Sequence, residues 1–518
     1  MRRWALWIIT AIILLLLVAC GADQDETPDD VHEEDLTEIE EYYEEQEEPR
    51  AELITLDWGY ALDLATQRRA GIVKPEPGEL EAMTEGRTPL ARFPQRFRND
   101  WSEQEDAPPD FFTIEDAVAD AWVLFNTLRY VYGGYVYFGG DDVFSAMLGD
   151  VTTEFFLLGE EMIRAADFAR ILHRHINQIV VDNHFWIGDE RMGSNFGYFH
   201  RHGVYYDKTE NGFRNRDTDL YLTEIEGYSI QEAMRLHTNA DGALFYRPVM
   251  LLESAAAVHQ ADFVYEDGSV QRRALIREAV PQRQMQLPTL EYIDFIPVLT
   301  VMAMGFDGHE AAWGIDHATA FMSYAQNLRQ ERVVIVDIRG NIGGNGLLPV
   351  RWLNLLTHQV APSNYVWLSA RPYRSGDFDF DPDNIHQNPP NSWRTYANVA
   401  AFGDYHTIFN TEPRRIIPRE QMLILLTDRA TSSAAEDFVD RIFNIQNTLV
   451  IGTATAGALA FDATYSPINL PNTGIPFGLG RAMMLWPDGH FAEGAGIVPD
   501  IWVSGDALAA ALALVVDE

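Results

Sequence analysis

Residues 423–443 read LILLTDRATSSAAEDFVDRIF. The apolar run Leu423 to Leu426 reads as a short buried strand. Phe438, Val439, Ile442 and Phe443 then recur with helical spacing. Between them lies a turn carrying Ser433, three residues ahead of Glu436. Strand, tight turn, serine and helix form a geometry that presents a nucleophile. The helix start aims unpaired backbone N–H groups and a positive dipole end at the same point, where an oxyanion is stabilised. The same residues also satisfy a capping box, in which Ser433 caps the helix and Glu436 reaches back. On the motif alone the cap is the commoner reading, and the rest of the chain must separate the two.

Outward from this unit the alternation continues. Residues 296–306 (IPVLTVMAMGF) read as a buried strand, a helix containing His317 runs to Arg329, and 333–341 (VVIVDIRGN) read as another strand. That strand ends in a glycine-rich turn, Gly340 to Gly346. A helix over 347–356, a strand over 449–452 and a hairpin over 481–497 turning at Asp488-Gly489 follow. Strands alternating with helices predict a mainly parallel sheet covered on its faces, so 291–518 reads as the α/β core of a multi-domain α/β chain. Upstream, residues 51–112 read as an irregular lead-in. Residues 113–184 are helical in pattern, with Thr113 as a cap and Ala117, Val118, Ala121, Trp122, Leu124 and Phe125 as an apolar face. Two glycine pairs, Gly133-Gly134 and Gly139-Gly140, break this region before a second helical stretch over 155–181. Residues 185–290 are β-rich. Within them YLTEIEGYSIQEAMRL (221–236) is similar to the core of a PDZ domain and equally compatible with any small β insert; residues 261–276 form a hairpin turning at Asp267-Gly268.

The chain has 518 residues, 47% hydrophobic, and a net charge of −40. That charge argues against nucleic acid as a partner, because phosphate binding needs clustered Lys and Arg. Residues 21–50 hold fifteen Asp or Glu and one basic residue, Arg50. Such a segment repels itself and buries little, so 20–50 reads as a disordered acidic tether. The single cysteine, Cys20, excludes an intrachain disulfide. Arg2 and Arg3 precede an almost wholly apolar run, Trp4 to Ala19, that closes at Leu17-Val18-Ala19-Cys20. This resembles a bacterial lipoprotein signal over 1–19, with lipid on the Cys20 sulfur; the run is short for a spanning helix. The alternative is an uncleaved membrane anchor. Either way the body is expected outside the cytoplasm, held at the cell membrane.

Five motifs carry a family resemblance. VVIVDIRGNIGGNG (333–346) resembles the strand-turn of the C-terminal processing (tail-specific) peptidases and the tricorn proteases. DRATSSAAEDF (428–438) resembles their nucleophile motif, VIGTATAG (450–457) the strand after it, EGAGIVPDI (493–501) their closing motif, and VVDNHFW (180–186) the motif that ends their N-terminal helical region. The resemblance implies a crotonase-like α/β catalytic core with an N-terminal helical region and a PDZ-like β-rich insert, acting on protein or peptide substrates. The processing branch uses a Ser-Lys dyad with lysine just after the glycine that matches Gly457 in VIGTATAG. Here that position is Ala458, and only Lys74 and Lys208 occur in the whole chain. The tricorn-like branch uses serine, a histidine and a late glutamate, which map onto Ser433, His184 and Glu493. Chemically, Ser433 is the nucleophile, neutral His184 the base that relays the proton, and Glu493 the carboxylate that orients the imidazole. The oxyanion hole is assigned to the N–H of Ala434 and of Gly343 or Gly344. Asn183 stands where the tricorn pattern has a serine, and Asp182 is expected to order the loop around His184. No phosphate-loop GK[ST] follows the glycines, no metal-ligand spacing is present, and no cofactor is expected. A non-catalytic binding lipoprotein on the same fold is the competing reading. An esterase is disfavoured because Ser433 lacks the G-x-S-x-G elbow.

Overall fold

The computed structural model describes residues 59–70, 108–135, 137–159, 161–201, 203–238, 242–281, 286–305, 317–370, 398–402, 405–409, 416–462, 468–480, 482–486 and 491–515. Cys20, the apolar run, the acidic tether and the Asp488-Gly489 turn lie outside them. Among the described residues no helix is long and apolar enough to cross a membrane.

The core is a parallel sheet. Its strands are β1 (Ile296–Thr300), β2 (Val333–Asp337), β3 (Met422–Thr427), β4 (Thr448–Gly452) and β5 (Ile501–Trp502), adjacent in that order. Every residue of β2, β3 and β4 is buried, as both faces of such a sheet are covered. Register is set strand to strand, with Asp337 opposite Leu426 and Leu426 opposite Ile451. The turns after β1 to β4 therefore open at one end of the sheet, the carboxyl end, where open α/β sheets form clefts. Helices His317–Asn327, Leu347–Thr357 and Ala434–Ile442 meet through Phe321, Trp352 and Phe438. The Phe321 and Trp352 rings stack at 5.5 Å, and Trp352 meets Phe438 edge-on at 5.4 Å.

The sheet does not stop at the core. β5 pairs in parallel with Met234–Thr238 through Trp502 and His237, and the sheet continues through the antiparallel strands of the β-rich region. There the strand Tyr221–Ile225, a turn with Gly227 at φ 75°, the short helix Ile230–Ala233 and the strand Met234–Thr238 follow in the expected order. The hairpin at Asp267-Gly268 joins Val258–Tyr265 to Val270–Arg277.

In the N-terminal region Thr113 caps the helix Ile114–Val131, accepting from the Asp116 N–H at 3.1 Å. Three sequence expectations are corrected. The stretch read as one helix over 155–181 is the end of helix Gly140–Leu157, a strand Met162–Arg164 and helix Ala165–Ile176. Gly139, at φ 108°, starts the first of these helices instead of merely breaking the region. The hairpin over 481–497 is also absent among the described residues. Ala482–Leu485 pairs instead with Val366–Ala370, and 491–497 forms no strand.

Candidate active site

Ser433 stands at the start of helix Ala434–Ile442 with φ 54° and ψ −121°. A non-glycine residue rarely holds such a backbone, so its surroundings must fix it. Four hydrogen bonds do so. Ser432 N–H donates to Asn341 O at 2.9 Å, and Thr431 Oγ1–H to Ile338 O at 3.0 Å. Gly340 N–H donates to Asp428 Oδ1 at 2.9 Å, and Ala456 N–H to Thr431 O at 2.8 Å. The turns after β2, β3 and β4 are thus tied into one platform.

Glu436 supplies the glutamate half of the capping box, accepting from Ser433 N–H at 2.9 Å. The same carboxylate, fully buried, also accepts from Thr455 Oγ1, Gly457 N–H and Ala458 N–H at 2.5, 2.8 and 2.7 Å. Burial pushes its pKa up and these donors draw it back. The carboxylate therefore shapes the loop that carries Gly457 and Ala458. The Ser433 hydroxyl itself lies 3.2 Å from His184 Nε2.

His184 comes from the opposite side, and three contacts seat it. The strand Trp186–Ile187 pairs with Pro476–Gly478. Asn183 Nδ2–H donates to Gly457 O at 2.6 Å. Buried Asp120, on the first helix of the N-terminal region, accepts from Asn472 Nδ2–H and Thr473 N–H at 2.7 Å each. Burial pushes the His184 pKa down to about 4, with the Arg191 charge adding to it. Such an imidazole is neutral over the physiological range and available as a base.

Glu493 is brought to the same place. One side-chain N or O from each of Asp182, His184 and Glu493 lies within 4.8 Å of the others. Glu493 Oε1 accepts from Asn183 N–H and Oε2 from Ala460 N–H, both at 2.9 Å. It makes no hydrogen bond to His184 Nδ1, which is buried without a partner among the described residues. Burial and the Asp182 carboxylate both push the Glu493 pKa up. His184 and Glu493 keep partial solvent contact, so their desolvation is incomplete. His184 Nε2 thus faces Ser433, while both Glu493 oxygens rest on backbone donors.

The two glycines differ. Gly343 N–H is committed to Asn341 Oδ1 at 2.9 Å. A Cβ on Gly343 would lie 2.7 Å from Ser433 Cβ and 3.0 Å from Ala434 N, so its bare Cα lets the turn close on the serine. Around Gly344, Met304 N–H donates to Gly343 O and Asn345 N–H to Met304 O, which leaves Gly344 N–H facing away from Met304. Among the described residues neither Gly344 N–H nor Ala434 N–H meets an acceptor.

Sequence reasoning missed Arg429. Its guanidinium donates to Thr455 O, to Ala495 O at 2.9 Å and to Gly494 O at 3.2 Å, and lies 5.4 Å over the Tyr198 ring. It joins the serine turn, the Glu493 turn and the β-rich region. An arginine inside the serine motif was the available signal, but its carbonyl partners are distant in sequence.

Residues 309–503 match the model of peptidase family S41. No curated protein matches the chain. Among solved structures, mature CPAF complexed with lactacystin is 15% identical, covering 77% of this chain and 97% of that one with a TM-score of 0.39. The photosystem II D1 C-terminal processing protease is 14% identical, covering 76% and 93%, with a TM-score of 0.33. The tricorn protease is 11% identical, covering 76% of this chain and 35% of that one, with a TM-score of 0.33.

Proposed function

Taking residues 309–503 as a serine peptidase domain of family S41, we propose that the chain is a lipid-anchored extracytoplasmic endopeptidase acting through Ser433, His184 and Glu493. The observation that carries this reading is the Ser433 Oγ to His184 Nε2 distance of 3.2 Å, made by a serine at a helix start beside an unaccepted Ala434 N–H. His184 Nε2 takes the Oγ proton as Oγ attacks the scissile carbonyl, and returns it to the leaving amine; water then clears the acyl-enzyme by the same route. The tetrahedral oxyanion is held by the N–H groups of Ala434 and Gly344, while Gly343 provides clearance. The Glu493 carboxylate stabilises the imidazolium, and a short approach to Nδ1 on substrate binding completes the relay, since such contacts tighten in the Michaelis complex. Protein or peptide segments near the membrane are the substrates, and the lipid on Cys20 holds the enzyme there.

Ser433→Ala should abolish casein digestion while leaving the melting temperature unchanged, and a fluorophosphonate probe should label Ser433. Retained cleavage, or labelling of another serine, would reject the assignment. Cys20→Ala should release the protein from the membrane fraction; continued retention would identify an uncleaved anchor.

A further inference from the structure

The Asp182 carboxyl has a place that the proton relay above does not use. It is fully buried beneath the His184 loop. Oδ1 accepts the His184 N–H at 2.8 Å, Asp182 N–H donates to Met192 O at 2.6 Å, and Phe185 N–H donates to Asp182 O at 3.1 Å. Oδ2 is buried with no hydrogen-bond partner, and so is the Tyr132 hydroxyl with which the carboxyl interacts. The remaining titratable groups acting on this cluster are Asp462 on Asp182, Glu436 on Glu493 and Arg191 on His184.

We infer that Asp182 is a positioning residue that fixes the His184 backbone and holds one proton jointly with Glu493, so that the Asp182–His184–Glu493 group carries a single negative charge in the resting enzyme. The inference rests on the triad reading of His184 and Glu493. Its geometric ground is two carboxyls and an imidazole that each place a side-chain N or O within 4.8 Å of the others. Like charges so close, one of them fully buried, disfavour ionising together, and the pair titrates as a unit. Burial raises both carboxyls; the Asp182 charge raises Glu493, and the Asp462 charge raises Asp182.

The single charge has a chemical consequence. Two anions beside His184 would keep the imidazole protonated and useless as a base. No anion would leave the imidazolium unsupported when Nε2 takes the Ser433 proton. One anion leaves His184 neutral at rest and stabilised once charged.

The test uses the folded Ser433→Ala protein at pH 7, so it does not depend on turnover. Infrared difference spectra against Asp182→Asn and against Glu493→Gln should each show a lost protonated-carboxyl band, because an amide at either position lets the other carboxyl ionise. A band that survives in either folded variant, or is absent from the parent, overturns the inference. If Asp182→Asn fails to fold by circular dichroism, Glu493→Gln decides alone. In the enzyme with Ser433 intact, Asp182→Ala should lower kcat at least about tenfold with KM little changed, because it unseats His184. Asp182→Asn keeps an acceptor for the His184 N–H and should recover most of that loss, with an altered alkaline limb in the pH profile. A purely structural Asp182 would leave that limb in place. Absence of cleavage with the infrared result intact would reject the peptidase reading and leave the shared proton standing.

Discussion

At the scale of single residues, Ser433 is both a helix cap and a proposed nucleophile, and the two roles are compatible. Glu436 holds the Ser433 N–H, which leaves the hydroxyl for His184. The burial that lowers the His184 pKa to about 4 moves the pH response. A lowered histidine pKa keeps the imidazole neutral down toward pH 4, so any acid limb in kcat/KM above that should come from the Asp182–Glu493 pair taking up its second proton. A limb near 6.5, the ordinary imidazole value, that persists in Asp182→Asn would mean that solvent reaches the ring freely. Gly343→Ala should cost about 100-fold in activity, since its Cβ would press on the nucleophile from a positive-φ position. A fluorophosphonate labelling rate reads this directly, and an unchanged rate would contradict the packing argument. The residue types were legible in the sequence. The division of labour between Gly343 and Gly344 was not, because it depends on Asn341 taking one of the two N–H groups.

At the scale of elements, the serine helix works through what its first turn grips. Glu436 gathers four donors from two loops. Glu436→Gln turns one acceptor oxygen into a donor facing N–H or O–H groups. It should destabilise the protein by about 3 kcal/mol, the scale for spoiling hydrogen bonds to a buried charged group. Denaturant unfolding would measure this, and a loss under half a kilocalorie per mole would show that the loop holds without it. The strands and helices of 296–357 and 422–452 follow from their apolar periodicity and were legible. The second half of the N-terminal helical region was not, since Met162–Arg164 owes its strand to pairing with Phe111–Thr113. The same holds for Ala482–Leu485, whose partner lies more than a hundred residues upstream.

At the scale of the whole molecule, the site exists only where the helical region meets the sheet. Asp120 gripping the 472–473 turn is the polar peg of that junction. The charge of the chain also sets its pH response. Asp182, Glu493, Glu436, Asp120 and Asp440 have raised pKa values, that of Asp440 to about 6. A carboxyl with a raised folded pKa binds its proton more tightly folded than unfolded. Its stabilising contribution is therefore present at low pH and is lost as pH rises through the folded value. Self-repulsion from a net charge of −40 acts in the same direction. His184, with its lowered pKa, opposes them, while Asp182, Glu493 and Asp440 carry the larger upward shifts into this range. The melting temperature should therefore be higher at pH 6 than at pH 8. A melting curve that rises from pH 6 to pH 8 would show that exposed carboxylate pairs dominate.

Local sequence by itself determined the alternating strands and helices, the serine at a helix start, and the absence of a lysine anywhere after Ser433. These follow from side-chain periodicity, capping chemistry and composition, which need only near neighbours. Tertiary structure alone decided that an imidazole 249 positions away meets the hydroxyl, that a second carboxyl is buried beside it, and that an arginine links three turns. Those outcomes depend on contacts between distant segments and on desolvation, quantities that no local stretch of chain contains.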